Sequence, residues 1–133
     1  VLRDAIKADP SAAGARHALG LSLVRQQRVP EALAALGEAE RLAPGDPRFA
    51  YVYGVALHDA GKRAEATQTL EAALARHPYD RDILLALASY DREAGNAARA
   101  ARRARLLVEL EPDNAELARF ARELDAAAPR RAR

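Results

Sequence analysis

Three histidines, His17, His58 and His77, are the side chains of this sequence best suited to metal binding or general acid–base chemistry. They stand 41 and 19 residues apart, so none has a partner three or four residues away on one helix, the spacing a helical metal site needs. Cysteine is absent, which removes disulfides, thiolate metal sites, c-type haem attachment and cysteine nucleophiles together. No glycine-rich loop suited to a phosphate occurs, and no pair of carboxylates accompanies a candidate nucleophile. Neither catalysis nor a cofactor is expected from these residues. The arginines offer a different chemistry, since Arg99, Arg102 and Arg103 share a helical face and Arg130, Arg131 and Arg133 follow at the end of the chain. Acidic residues are distributed through the same sequence and no aromatics interleave with the arginines, which reads as a solvated face. Binding of nucleic acid, or of another acidic surface, through these arginines is the alternative reading.

The elements that position such residues follow from composition and period. A chain of 133 residues, half of them apolar and 30% charged, is long enough for one domain with a core. It contains 34 alanines against 7 glycines, 4 tyrosines and 2 phenylalanines, a balance that favours helix and excludes an all-β fold. The net charge is only +2, and the pI of 9.3 reflects 19 arginines among the 21 basic residues. No apolar run approaches the roughly 20 residues of a membrane span, and the first residues, Val1-Leu2-Arg3-Asp4, lack the form of a signal peptide. The bias towards arginine and alanine points to a GC-rich bacterial genome, hence a bacterial cytoplasm or periplasm. Methionine is absent even at position 1, which is read as the mark of a trimmed piece or of the processed end of something longer.

Pro10, Pro44, Pro78 and Pro112 are each 34 residues apart, and other columns repeat at the same step. Gly20 falls on Gly54 and Ala88, and Leu19 on Tyr53 and Leu87. Ala32 falls on Ala66 and Ala100, Leu36 on Leu70 and Ala104, and Ala39 on Ala73 and Leu107. Within a period the apolar residues step by four and three, as on a helix, with a break at Gly61 and Gly95. Each period is therefore two helices joined by a tight turn. Asp46 before Pro47, Asp80 and Asn114 are expected N-caps, with Asp113 as an alternative to the last, while Ala12 holds that column in the first period. Pro30 should open a second helix. The expected helices are 1–8, 11–26, 30–43, 47–60, 63–77, 81–94, 97–110 and 114–127.

A 34-residue helix-turn-helix unit with Leu19-Gly20, Ala32, Ala39 and Pro44, then Tyr53-Gly54, Ala66, Ala73 and Pro78, resembles the tetratricopeptide repeat. The family's early tryptophan is replaced by Arg16, Ala50 and Leu84. In the third unit Ala88 replaces the glycine, Leu107 the later alanine, and Asp91 stands where Leu23 and Leu57 stood, with Tyr90 expected to fill space beside it. The resemblance implies an all-α, right-handed superhelical solenoid: residues 1–12 end a preceding repeat, repeats occupy 13–46, 47–80 and 81–114, a capping helix 115–127, and a disordered tail 128–133. The apolar stripe Leu117, Phe120, Ala121 and Leu124 suits that cap, because a terminal unit must face water on one side.

The same resemblance implies a concave surface lined by the first helix of each unit, with His17, Leu21, Arg48, Tyr51, Val55, His58, Leu85, Ser89 and Arg92 facing it. The apolar members suit a peptide or a partner's helix, and Arg48 and Arg92 suit an acidic group. Chaperone-binding members of the family grip a C-terminal carboxylate with lysine, asparagine and arginine. The corresponding places here hold His17, Leu21, Val52, Asp82 and Ala86, so chaperone tails are not expected to bind. The expected function is a non-catalytic protein-interaction module, or a scaffold domain of a larger bacterial protein. Self-association through the exposed repeat end at 1–8 is a further expected contact.

Overall fold

The computed structural model describes residues 12–129, and among them it contains helices and connecting turns without strands. Seven helices follow one another: α1 (Ala13–Arg25), α2 (Val29–Leu42), α3 (Pro47–Asp59), α4 (Arg63–Arg76), α5 (Arg81–Glu93), α6 (Ala97–Leu110) and α7 (Ala115–Ala127). Each lies within two residues of the span its periodicity predicts. The helix expected over 1–8, its contact with another copy, and residues 130–133 of the tail lie outside the described residues. Two compact units result, Val1–Arg76 with α1 to α4 and His77–Arg133 with α5 to α7. In the first, consecutive helices pack on one another; in the second, α5 packs on α6 and α6 on α7.

The turns repeat at the same 34-residue step as the prolines. Arg28, Lys62 and Asn96 each donate a backbone N–H to the carbonyl five residues back, on Leu23, Leu57 and Asp91, at 2.8–2.9 Å. The residues just before them, Gln27, Gly61 and Gly95, donate to Val24, His58 and Arg92 and hold positive φ, of 60°, 83° and 82°. This is the Schellman ending of a helix, which satisfies carbonyls that the helix itself cannot. Glycine adopts that conformation freely, whereas Gln27 pays for its Cβ. Gln27→Gly should therefore stabilise the first unit by about 1 kcal/mol, and Gly61→Ala should destabilise it by a similar amount; urea unfolding of both variants measures the two signs.

The helix starts are fixed by their side chains. Asp46 Oδ1 accepts the N–H of Arg48 at 2.9 Å, Asp80 Oδ1 that of Ile83 at 3.0 Å, and Asn114 Oδ1 those of Glu116 and Leu117 at 3.1 Å, so Asn114 rather than Asp113 is the cap. Asn96 caps α6 in the same way, a role its sequence position did not announce. Ala12 has no side chain to offer and caps nothing. Pro30 stands in the first turn of α2, where a missing N–H costs no hydrogen bond.

Close approach of paired helices decides the core. A Cβ on Gly20 would lie 2.5 Å from Leu36 Cδ2, and one on Gly54 would lie 2.6 Å from Leu70 Cδ2. Bare backbone at these two columns is what admits a leucine that is completely buried. The third repeat solves the same space differently: Ala88 and Ala104 hold the two columns, both completely buried, so a methyl has been added on one helix where three carbons were removed from the other. The fold tolerates the loss of the glycine because the facing leucine is lost with it.

Asp91 is the other departure in that repeat. At the column where Leu23 and Leu57 are buried, its side chain is 4% exposed, and two arginines of α6 supply the missing complement. Arg99 Nε donates to Asp91 Oδ1 at 3.0 Å, and Arg103 Nη1 donates to Oδ2 at 2.5 Å. In the first two repeats the columns of Arg99 and Arg103 hold Glu31 and Glu65, and Ala35 and Thr69. The carboxylate and both of its cations thus enter the chain together, as burial of a charge requires.

Candidate functional site

The expected site residues divide between the units. In the first, α1 carries His17 and Leu21, and α3 carries Arg48, Tyr51, Val55 and His58. Tyr51, Val55 and His58 step by four and three, which places them on one face of α3. Leu21, Tyr51, Val55 and His58 are half-buried, and Arg48 is exposed. In the second unit Leu85, Ser89 and Arg92 step by four and three along α5, the first two half-buried and the last exposed.

His17 corrects the sequence expectation. Instead of facing open space it is 3% exposed, with its ring centroid 4.7 Å from that of Phe49 on α3. Phe49 is itself buried with Ala13 and Ala39 against Leu42 and Ala43, so the histidine belongs to the packing of α1 and α2 on α3. Ala15 and Ile83 stand at the column of Phe49, and the alternation of sizes there concealed its partner. No hydrogen-bond partner reaches His17 Nδ1 among the described residues. Burial, and then the charge of Arg48, lowers its pKa below the usual imidazole value, with Asp46 opposing.

A histidine with a lowered folded pKa binds protons more readily when unfolded. Its neutral form therefore supports the fold fully above pH 6.5, and that support is lost as the pH falls below 6.5 towards and past the folded value. We expect the melting temperature to fall between pH 7.5 and pH 5 by less in His17→Leu, which carries the residue found at this column in the third repeat, than in the parent chain. Equal falls would show that His17 does not titrate with unfolding.

The arginines are also committed in ways that spacing did not reveal. Arg92, expected to await an acidic group, lies with its guanidinium 5.0 Å from the centroid of the Phe120 ring. Arg99 and Arg103, read as members of a solvated face, are held by buried Asp91, and Arg105 pairs with Asp125 at 2.5 Å. Of the helical trio only Arg102 is fully on the surface. Among the described residues there is no group of three or more histidine, aspartate or glutamate side chains placed to hold a metal, and no helix long and apolar enough to cross a membrane.

A family model, described as the tetratricopeptide repeat, matches residues 1–47 and 17–81, which together span more than half of the chain. A comparison with curated proteins found no match. Among solved structures, the chain is similar to the first TPR of Spaghetti (RPAP3) bound to the HSP90 peptide SRMEEVD, with a TM-score of 0.77 and 19% identity over 90% of this chain and 94% of that one. It is similar to the Arabidopsis OM64 TPR domain, at 0.75 and 16% over 88% and 97%, and to the MamA protein, at 0.77 and 17% over 95% and 69%. At these identities the structures establish the fold, an all-α helical solenoid of the TPR kind. The period, the columns and the family match agree, and the chain belongs to the tetratricopeptide repeat family, a protein-interaction fold.

Proposed function

We propose that the chain is a non-catalytic binding module that holds a peptide or a partner's helix in the groove of its repeats. Leu21, Arg48, Tyr51, Val55 and His58 are the candidate residues of the first unit, and Leu85, Ser89 and Arg92 those of the second, each unit taken by itself. The observation that carries this reading is the face of α3, where half-buried Tyr51 and Val55 lie on successive turns. Tyr51 is the anchor, because an aromatic ring supplies a large contact area with few rotors. Affinity for a short segment should be of about micromolar order, since ordering the segment offsets much of the contact energy. The arginine reading loses weight once Arg99 and Arg103 are occupied by Asp91.

The test compares the parent chain with a Tyr51→Ala, Val55→Asp variant and with Tyr79→Ala, which removes a 66% exposed tyrosine outside that face. Proteins retained from a lysate are identified, and each is then titrated as a purified partner. The reading requires a partner that binds the parent and Tyr79→Ala alike and the folded double variant at least tenfold more weakly. Equal binding to all three, or retention of nucleic acid lost steeply with salt, overturns it.

A further inference from the structure

Within the first unit, the seam where the α1–α2 hairpin meets α3 is packed at one end and open at the other. Towards the start of α3, His17, Ala13, Ala39 and Phe49 close it. Next to them a Cβ on Gly37 would lie 3.0 Å from Tyr53 Cζ, so that ring rests on bare backbone. Towards the end of α3 the seam parts into a cleft of about 120 Å³, with Val24, Val29, Ala32 and Leu33 on one wall and Ala56 and Ala60 on the other. The hairpin has its own core, since Leu36 fills the space at Gly20 and Leu19 packs on Leu23, Ala32 and Ala35. One ion pair ties it to α4, Arg76 to Glu40 at 3.0 Å, and with the arginine 42% exposed it contributes little.

His17 is the group of this seam whose charge changes between pH 7.5 and pH 5. Protonation makes both ring nitrogens donors, and Nδ1 has no acceptor among the described residues. At the start of α3, Arg48 opposes the added charge more strongly than Asp46 favours it. The charged groups of α2 are committed elsewhere: Glu38 to Arg41 and to the field of Arg16 on α1, Glu31 to Arg28, and Glu40 to Arg76. Arg25, at the far end of α1, is exposed. The charged imidazole therefore has no favourable place in the closed seam and gains one in water.

We propose that this seam is a proton-operated latch: protonation of His17 in mild acid raises the population in which the α1–α2 hairpin has left α3 while α3 and α4 stay paired. Helices of 13 and 14 residues with no third helix to cover them do not hold their shape, so the freed hairpin melts and withdraws Leu21 from the surface of the first unit. The opening is local because the seam, with its cleft and its small side chains, is held by less than the leucine-filled interiors of the two helix pairs. The latch acts on the fold itself and does not rest on the groove reading above.

Amide hydrogen exchange tests this, read by NMR on the full chain at pH 7.5 and pH 5 and referred to the intrinsic rate at each pH. At both values the best-protected amides of α1 and α2 should exchange at least about tenfold faster than the best-protected of α3 and α4, as a separately opening hairpin requires. Between the two values their protection should fall by about five- to thirtyfold, the upper figure being the ceiling for one imidazole of unfolded pKa about 6.5. His17→Leu should keep that ranking and abolish the fall. The ring signals of His17 in the parent chain should titrate below pH 6.5, a reading that needs no variant. Equal protection in all four helices, an undiminished fall in His17→Leu, no fall in the parent, or titration of His17 at or above pH 6.5 overturns the proposal. None of these readings involves a partner, so the groove reading can fail while the latch stands, and the reverse.

Discussion

Gly54→Ala should destabilise the protein, although alanine is the better helix former, and the same change should become stabilising once Leu70 is replaced by alanine. In an open helix the substitution would gain about 1 kcal/mol. At this position the new Cβ would sit 2.6 Å from both Cδ2 and Cγ of a leucine with no exposed surface, so the packing must yield. Overpacking of a filled core costs about 1–3 kcal/mol, enough to reverse the propensity gain. Leu70→Ala alone should cost about 2–5 kcal/mol through lost transfer energy and the cavity it leaves. The methyl of the double variant then occupies part of that cavity, and the two changes should couple favourably by about 1–3 kcal/mol. The third repeat already carries this combination as Ala88 and Ala104, which is why its outcome can be forecast. Gly14→Ala on α1 is the control, since nothing lies within 4 Å of the added atom and it should be neutral or stabilising. Urea unfolding of the parent, the two single variants and the double variant closes the cycle; additive losses would show that the glycine column is not held open for the leucine.

The second large effect is an asymmetry around Asp91. Replacing Arg99 and Arg103 together by alanine should cost about 3–5 kcal/mol, because a carboxylate only 4% exposed is left without a cation. Asp91→Leu should cost far less, about 1 kcal/mol or below. The reason is geometric: Leu occupies this column in both other repeats, and the two released side chains, 41% and 16% exposed, can carry their guanidinium groups to water. Chemical denaturation of the two variants measures the difference. Equal losses would mean that the ion pairs contribute by themselves, and that the buried charge is not what the arginines serve.

The legible part of this protein was what neighbours in sequence decide. The 34-residue step predicted every described helix to within two residues, and Asp46, Asp80 and Asn114 cap as their columns indicate. Gly61 and Gly95 announced the turns between paired helices, whereas the left-handed conformation of Gln27, which holds their column in the first repeat, came from the structure. The candidate surface was legible only in part. Helical phase placed Tyr51, Val55 and His58 on one face, and Leu85, Ser89 and Arg92 on another, but phase does not state what lies opposite.

Helix spans, caps and turns were determined by the sequence itself, because hydrogen bonds between residues two to five apart and the apolar period act within one stretch of chain. Only the tertiary structure decided that Phe49 covers His17, that Arg99 and Arg103 reach back to Asp91, that Arg92 lies over Phe120, and that Ala88 and Ala104 fill the space divided elsewhere between glycine and leucine. Each of these is a meeting across two helices, where close packing and the cost of a buried charge choose the partner, and neither acts along the chain.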